Sequence, residues 1–252
     1  NNYLQLIFIG DAGTTFISIL LILFFIDESI PSQDNLKDSM QSPPSSEKGE
    51  EGNIWKVLLS RPYLIIFTLV FTLYSFVYVQ NEFTLPLQMI KIFGEKGPQY
   101  FGTIMTINGI VVIFLTVFII GFTRKYEPIL NISLAGLLYA IGFGMIYYIN
   151  SMVLFMISTI FWTLGEIMAS TYSDVYIINH TPITHRGRFS AIVHILIGSG
   201  FIFGPYFSGI FINNYEIEQI WPFVFVIAII SSFFMYILYF YEKRSHDNLI
   251  AK

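Results

Sequence analysis

The chain of 252 residues is 54% hydrophobic and 18% aromatic, with only 12% charged residues and a net charge of −4. A soluble domain carries about a quarter charged residues and needs a polar exterior around its core, so a water-soluble globule is excluded and a lipid exterior is required. The mildly acidic balance gives no basic footprint for nucleic acid, and the absence of cysteine excludes disulfides, thiolate catalysis and Cys-ligated zinc.

Crossing ~30 Å of hydrocarbon as a helix takes about 20 apolar residues. Seven such runs occur, at 4–26, 62–85, 99–121, 130–149, 152–177, 189–212 and 221–241. A β-barrel would need alternating segments of about ten residues, and these runs are longer and do not alternate. The pattern predicts an all-α polytopic membrane protein with seven transmembrane helices.

The first run carries Asp11, Thr14, Thr15 and Ser18 on one face. Neither a start methionine nor a cleavage signature precedes it. The chain therefore reads as the C-terminal part of a longer protein or, with an outside start and an inside end, as a seven-helix receptor. Residues 27–61 then break the hydropathy pattern, with Pro31–Asn53 rich in Ser, Gln, Asp, Glu, Pro and Gly. They read as a disordered cytoplasmic linker. The second run places Phe71, Tyr74, Ser75, Tyr78, Asn81 and Glu82 on one face, Glu82 near the boundary, where a carboxylate is solvated. Asn108 lies near the middle of the third run, placed to bond another helix or a substrate. On the fourth, Gly136, Ala140 and Gly144 recur every four residues, as do Gly200, Gly204 and Ser208 on the sixth. Such stripes let helices approach closely in lipid. His194 sits near the start of the sixth run, an interfacial position, and Pro86 and Pro205 are expected to kink or interrupt their helices.

The fifth run is the most informative. Trp162, Thr163, Glu166, Ala169, Ser170, Ser173 and Asp174 fall at helical spacing and make a polar, small-residue face. A charge in hydrocarbon costs at least ~2.5–3.5 kcal/mol. None of the four carboxylates in the runs, Asp11, Glu82, Glu166 and Asp174, has a Lys or Arg within any run to neutralise it. Glu166 lies fourteen residues past Met152, about 21 Å along a helix axis, beyond easy snorkelling. Asp174 is three residues from the end of its run and also reads as a boundary residue.

Eleven of the thirteen Lys and Arg residues fall in 27–61, 122–129, 178–188 and 242–252, which places these segments and the C-terminus in the cytoplasm. Spans two to four and five to seven then form two triplets of opposite topology, the layout of inverted-repeat transporters. An enzyme is not expected. Gly198-Ser199-Gly200 is similar to the serine motif of intramembrane rhomboid proteases, but the downstream His246 lies in the tail, out of reach. No metal-ligand cluster or phosphate-cradling loop occurs, so neither metal nor cofactor is expected.

With these residues in place, the sequence resembles the C-terminal half of a major facilitator superfamily transporter preceded by its sixth helix. Leu85-Pro86-Leu87 through Phe93-Gly94, Gly97, Tyr100, Gly102 and Asn108-Gly109 is similar to the seventh-to-eighth helix region of bacterial drug exporters. Gly121-Phe122-Thr123-Arg124-Lys125 resembles the family's Gly-and-basic cytoplasmic loop. Gly165-Glu166 followed by Pro182 through Arg186-Gly187-Arg188 is similar to the tenth helix and following loop of proton-coupled multidrug efflux members. Arg186 and Arg188 also read as plain cytoplasmic anchors. The resemblance implies a cavity lined by the seventh, eighth, tenth and eleventh helices. Glu166 would be its proton or cation site, and Asp174, Ser170, Thr163, Trp162, Asn108, Tyr78 and Asp11 further candidates. It divides the chain into a last helix of a missing N-terminal domain (1–26), the linker (27–61), a six-helix C-terminal domain (62–241) and a cytoplasmic tail (242–252). The implied activity is efflux of a small molecule across the cell membrane in partnership with the missing half. Import of a nutrient by the same superfamily is the alternative.

Overall fold

The computed structural model describes residues 2–26, 58–182 and 186–250; the linker expected at 27–61 lies almost wholly outside them. Among the described residues are eight α-helices: α1 (Asn2–Phe25), α2 (Pro62–Tyr78), α3 (Thr84–Phe93), α4 (Gly97–Thr123), α5 (Pro128–Met145), α6 (Met152–Asn179), α7 (Arg186–Asn214) and α8 (Ile220–Ile250). Six stretches among the described residues are long and apolar enough to cross a membrane. The longest, Pro62–Thr123, holds two of the expected spans, joined through α3. α1 lies in a unit of its own, and α2–α8 lie in a second.

Local sequence explains where the helices begin. α2, α4 and α5 carry proline in their first turn, where the missing N–H costs nothing and the fixed φ suits the helix. α6 starts behind Ser151, whose hydroxyl accepts from the Leu154 N–H. α3 ends at Gly94, whose φ of 58° is the left-handed conformation open to glycine.

The second run is not one continuous helix. α2 stops at Tyr78, a 3-10 turn covers Val79–Asn81, and the chain resumes as α3. Pro86 has no N–H for the carbonyl four residues back and its ring crowds that carbonyl, which disfavours a regular helix through Glu82. Gln80 holds the break. Its Oε1 accepts from Thr84 Oγ1 at 2.6 Å and from Ser208 Oγ of α7 at 3.0 Å, while Nε2 donates to the Phe76 carbonyl at 3.0 Å. Pro205, by contrast, sits inside α7 without ending it.

The helices of the second unit pack in the series α4–α6–α5–α8–α2–α7. Exchanging α2 with α6, α4 with α7 and α5 with α8 returns the same series. Two inverted triplets would produce such an order. Ion pairs and hydrogen bonds agree with the alternating directions. Lys91 meets Glu216 and Glu218 at one end, while the Arg61 guanidinium donates to the His180 carbonyl and Tyr176 pairs with Glu242 at the other.

Both small-residue stripes mark close helix contacts, as expected. A Cβ on Gly136 would fall 2.4 Å from the Tyr74 hydroxyl, and one on Gly200 the same distance from the Thr72 carbonyl oxygen. Lipid offers no hydrophobic drive for helix association, so packing and polar links hold the bundle. Tyr74 donates to the Ile132 carbonyl at 2.8 Å, and Ser133 and Ser232 each donate to the other's carbonyl, tying α5 to α8. Leu64, Phe67, Ile132, Phe143, Trp162 and Trp221 form the centre of the core and are buried.

Candidate functional site

Glu166 stands on α6, opposite Asn108 of α4. The Asn108 amide donates to Glu166 Oε2 at 2.7 Å and to Thr163 Oγ1 at 3.0 Å. Thr163 and Glu166 are three residues apart, so they share a helix face, and one amide reaches both. Tyr78, the last residue of α2 before the break, brings its phenol into interaction with Glu166 and with Asn81. Its ring meets Trp162 edge-on at 6.3 Å and Phe201 of α7 at 6.3 Å. Trp162 is fully buried and stacks on Phe143, with centroids 5.7 Å apart.

The group thus draws on α2, α4 and α6, with Phe201 of α7 against the Tyr78 ring. Glu166 and Asn108 are half-buried, while Thr163 and Trp162 are buried. Two polar atoms beside Tyr78, Asn81 Oδ1 and Trp162 Nε1, are buried without a hydrogen-bond partner. An amide donor serves the carboxylate and the neutral acid alike, since the carbonyl oxygen of the acid also accepts. The Asn108 link therefore persists in both protonation states, and no Lys or Arg within the apolar runs of the sequence pins Glu166 as an anion.

Other candidates lie apart from this group. Ser170 is exposed and donates to the Ile167 carbonyl on its own helix. Asp174 is two turns from Glu166, about 12 Å along the axis. It is exposed, with Oδ1 3.5 Å from His194 Nε2. The polar face read from α6 is therefore not one open stripe, since Ser173 and Ala169 are buried between these positions. Asp11 is exposed on α1, and its carbonyl accepts from Thr14. Arg124 ends α4 in an exposed position; Arg186 and Arg188 lie in the first turn of α7, half-buried and exposed respectively. Glu82 is exposed, as its boundary position implied.

Sequence reasoning missed two polar groups. One is Gln80, fully buried beside the chosen Asn81 and Glu82; a third polar residue in an apolar run was the available signal. The other ties the ends of α2, α6 and α8. There the His180 ring stacks on Tyr176 at 4.0 Å and sits 3.5 Å from Glu242, whose carboxylate accepts from the Tyr176 hydroxyl. Burial, aided by the Arg61 charge and opposed by a hydrogen bond to the Tyr176 carbonyl, lowers the His180 pKa below its ordinary value.

Comparison with known proteins adds to this geometry. The sequence profile of the Major Facilitator Superfamily matches residues 3–182 and, in a second match, residues 132–251. YqjV of Bacillus subtilis (strain 168), described as an uncharacterized MFS-type transporter, is 26% identical over 161 residues, 62% of this chain. That match spans 38% of the length of YqjV.

Proposed function

The chain belongs to the major facilitator superfamily of secondary transporters rather than to an enzyme family, and from that premise we propose that it is the C-terminal part of a proton-coupled exporter of small cationic or amphiphilic molecules. In this reading it resides in the cell membrane with its C-terminus in the cytoplasm. Residues 62–241 supply one wall of the substrate cavity, and a second six-helix unit supplies the other. The eleven cytoplasmic Lys and Arg residues support the orientation. The apolar faces of α4 and α7, which include the exposed Ile113, Phe114, Ile202 and Tyr206, support the missing wall.

One observation carries the mechanism: a half-buried carboxylate deep in the membrane whose bonded partner is a neutral amide. In this reading Glu166 exchanges a proton with the side to which the cavity is open, since an intramembrane carboxylate is costly and marks a proton or ion path. After the two units rock about the site, a cationic substrate arriving from the cytoplasm stabilises the anion and displaces the proton. Tyr78, half-buried with the buried Trp162 behind it, offers an aromatic ring to a cation or an amphiphile, and Asn108 keeps the carboxyl oriented in both states. Exchange follows because Glu166 holds one of the two at a time.

The test is Glu166→Gln in the intact transporter, reconstituted with an imposed pH gradient and compared at equal protein amounts. Glutamine keeps the shape and the Asn108 bond while abolishing titration, so proton-driven efflux is lost while folding and insertion persist. Glu82→Gln, at an exposed position, retains transport. Wild-type efflux by Glu166→Gln with unchanged pH dependence would make Glu166 a packing residue and end the proposal.

A further inference from the structure

A second cavity lies on the opposite side of α2 from Glu166. It is a slot of about 580 Å³ between α7 and α8, floored by α2 and lined by Thr72, Phe76, Phe203, Phe207, Phe223 and Ile227, among others. Phe76 and Tyr78 are two residues apart and therefore point about 200° from each other on the helix. Tyr78 faces Trp162 and Glu166, whereas Phe76 meets Phe223 edge-on at 6.5 Å in the slot wall. The floor is sealed where Gly200 seats α7 against the Thr72 carbonyl. Ser208 in the wall already spends its hydroxyl on Gln80. The slot is apolar, aromatic and separate from the Glu166 group.

Its far end is not apolar. At Asn214 and Tyr215 the slot meets a polar cavity of about 680 Å³, which is also lined by Lys91, Asn213, Glu216 and Gln219. Lys91 Nζ lies 2.5 Å from Glu216 Oε2 and 2.9 Å from Glu218 Oε2. One ammonium faces two carboxylates, which leaves an excess negative charge on an exposed surface. Along α7 the slot runs from Gly200 to Tyr215, about 22 Å at the helical rise, enough for one leaflet of a ~30 Å hydrocarbon core. Tyr215, at the junction, is the kind of aromatic residue that sits at headgroup depth.

We propose that this slot binds a diacyl phospholipid with an ethanolamine-phosphate headgroup, one acyl chain lying between α7 and α8 and the headgroup resting in the polar mouth. The chemistry of the mouth selects the headgroup. The primary ammonium donates to Glu216 and Glu218, while its phosphate accepts from Lys91. An anionic glycerol headgroup meets the excess negative charge, and a choline headgroup has no N–H to donate. Acyl chains contact any membrane protein, so the distinguishing property of this site is headgroup selection at the connection between α7 and α8.

Native mass spectrometry of the purified protein, incubated with equal amounts of phosphatidylethanolamine, phosphatidylcholine and phosphatidylglycerol of matched chains, tests it. The ethanolamine lipid is retained about tenfold over the other two, the worth of one charge-assisted hydrogen bond. Glu216→Gln combined with Glu218→Gln brings its retention down to that of the choline lipid. Ile227→Trp, which fills the slot, lowers retention of all three. Equal retention of the three headgroups by the unmodified protein would overturn the proposal without recourse to any variant. So would an unchanged ethanolamine preference in the double Gln variant, or unchanged adducts in Ile227→Trp.

Discussion

α6 and the α2–α3 pair occupy equivalent places in the two inverted triplets, yet they are built differently. α6 runs unbroken from Met152 to Asn179, whereas its counterpart stops at Tyr78, turns through Val79–Asn81 and restarts at Thr84. The continuous helix carries the carboxylate, and the interrupted one ends with the tyrosine that faces it. Symmetric packing thus supports an asymmetric site. A regular helix fixes the depth and direction of Glu166 relative to Asn108, while a break frees backbone groups that need side-chain partners. Gln80, Thr84 and Ser208 link side chains across that break, whereas α6 relies on smooth packing against α5.

Breaking the smooth side has the largest effect. A Cβ on Gly142 of α5 would lie 2.7 Å from the Trp162 backbone nitrogen, and backbone cannot rotate away. Gly142→Leu forces α5 and α6 apart at a cost of about 3 kcal/mol. The expected result is a lower melting temperature in detergent and loss of transport, because Trp162 and Glu166 move together.

Breaking the interrupted side costs less. Gln80→Leu leaves the Thr84 and Ser208 hydroxyls without their shared acceptor in a buried place. Interhelical hydrogen bonds in membranes average well below their value in hydrocarbon, so the loss is about 1–2 kcal/mol. Thermal unfolding measures it. Gln80→Glu preserves the acceptor and separates loss of the bond from loss of volume.

The end of α6 responds to pH. His180 in the unfolded chain binds a proton near its ordinary value of 6.5, while the folded site, beside Arg61, Tyr176 and Glu242, binds it only at lower pH. Where the unfolded chain carries more protons, stability falls as pH drops. The His180 contribution to stability therefore declines as pH falls through 6.5 and levels off once the folded site is protonated too. His180→Gln removes this contribution, and the difference between the two melting profiles across that window measures it.

The smallest effect sharpens the comparison within α6 itself. Asp174 is exposed and stands beside His194, not beside Asn108. Screened surface pairs contribute little, so Asp174→Asn changes transport by the intact protein by no more than about twofold. A loss as deep as that of Glu166→Gln would mean that the active face of α6 extends to its end.

Much of this arrangement was legible in the chain itself. Hydrocarbon thickness demands runs of about 20 apolar residues, so the helices and their alternation follow from counting. Gly136, Gly144, Gly200 and Gly204 were readable as close contacts because only small residues let backbones meet in lipid. Glu166 stood out because a deep carboxylate is costly wherever it sits.

The sequence alone could not say which residue answers Glu166. Asn108 lies 58 positions away in the chain and Tyr78 further still, and helical periodicity fixes the face of a residue but not which helix that face meets. The break at Gln80 was hidden for the same reason. Pro86 signals an interruption, but the hydroxyl that meets Gln80 comes from Ser208, 128 residues on. Composition and periodicity determined seven apolar runs, their alternation and a carboxylate at depth. Only tertiary packing decided that Asp174 belongs with His194, that Asn108 belongs with Glu166 and Thr163, and that α7 and α8 part to leave a slot. Contacts between distant segments depend on how helices rotate and tilt to satisfy their smallest residues and buried polar groups, and that is a property of the assembled bundle.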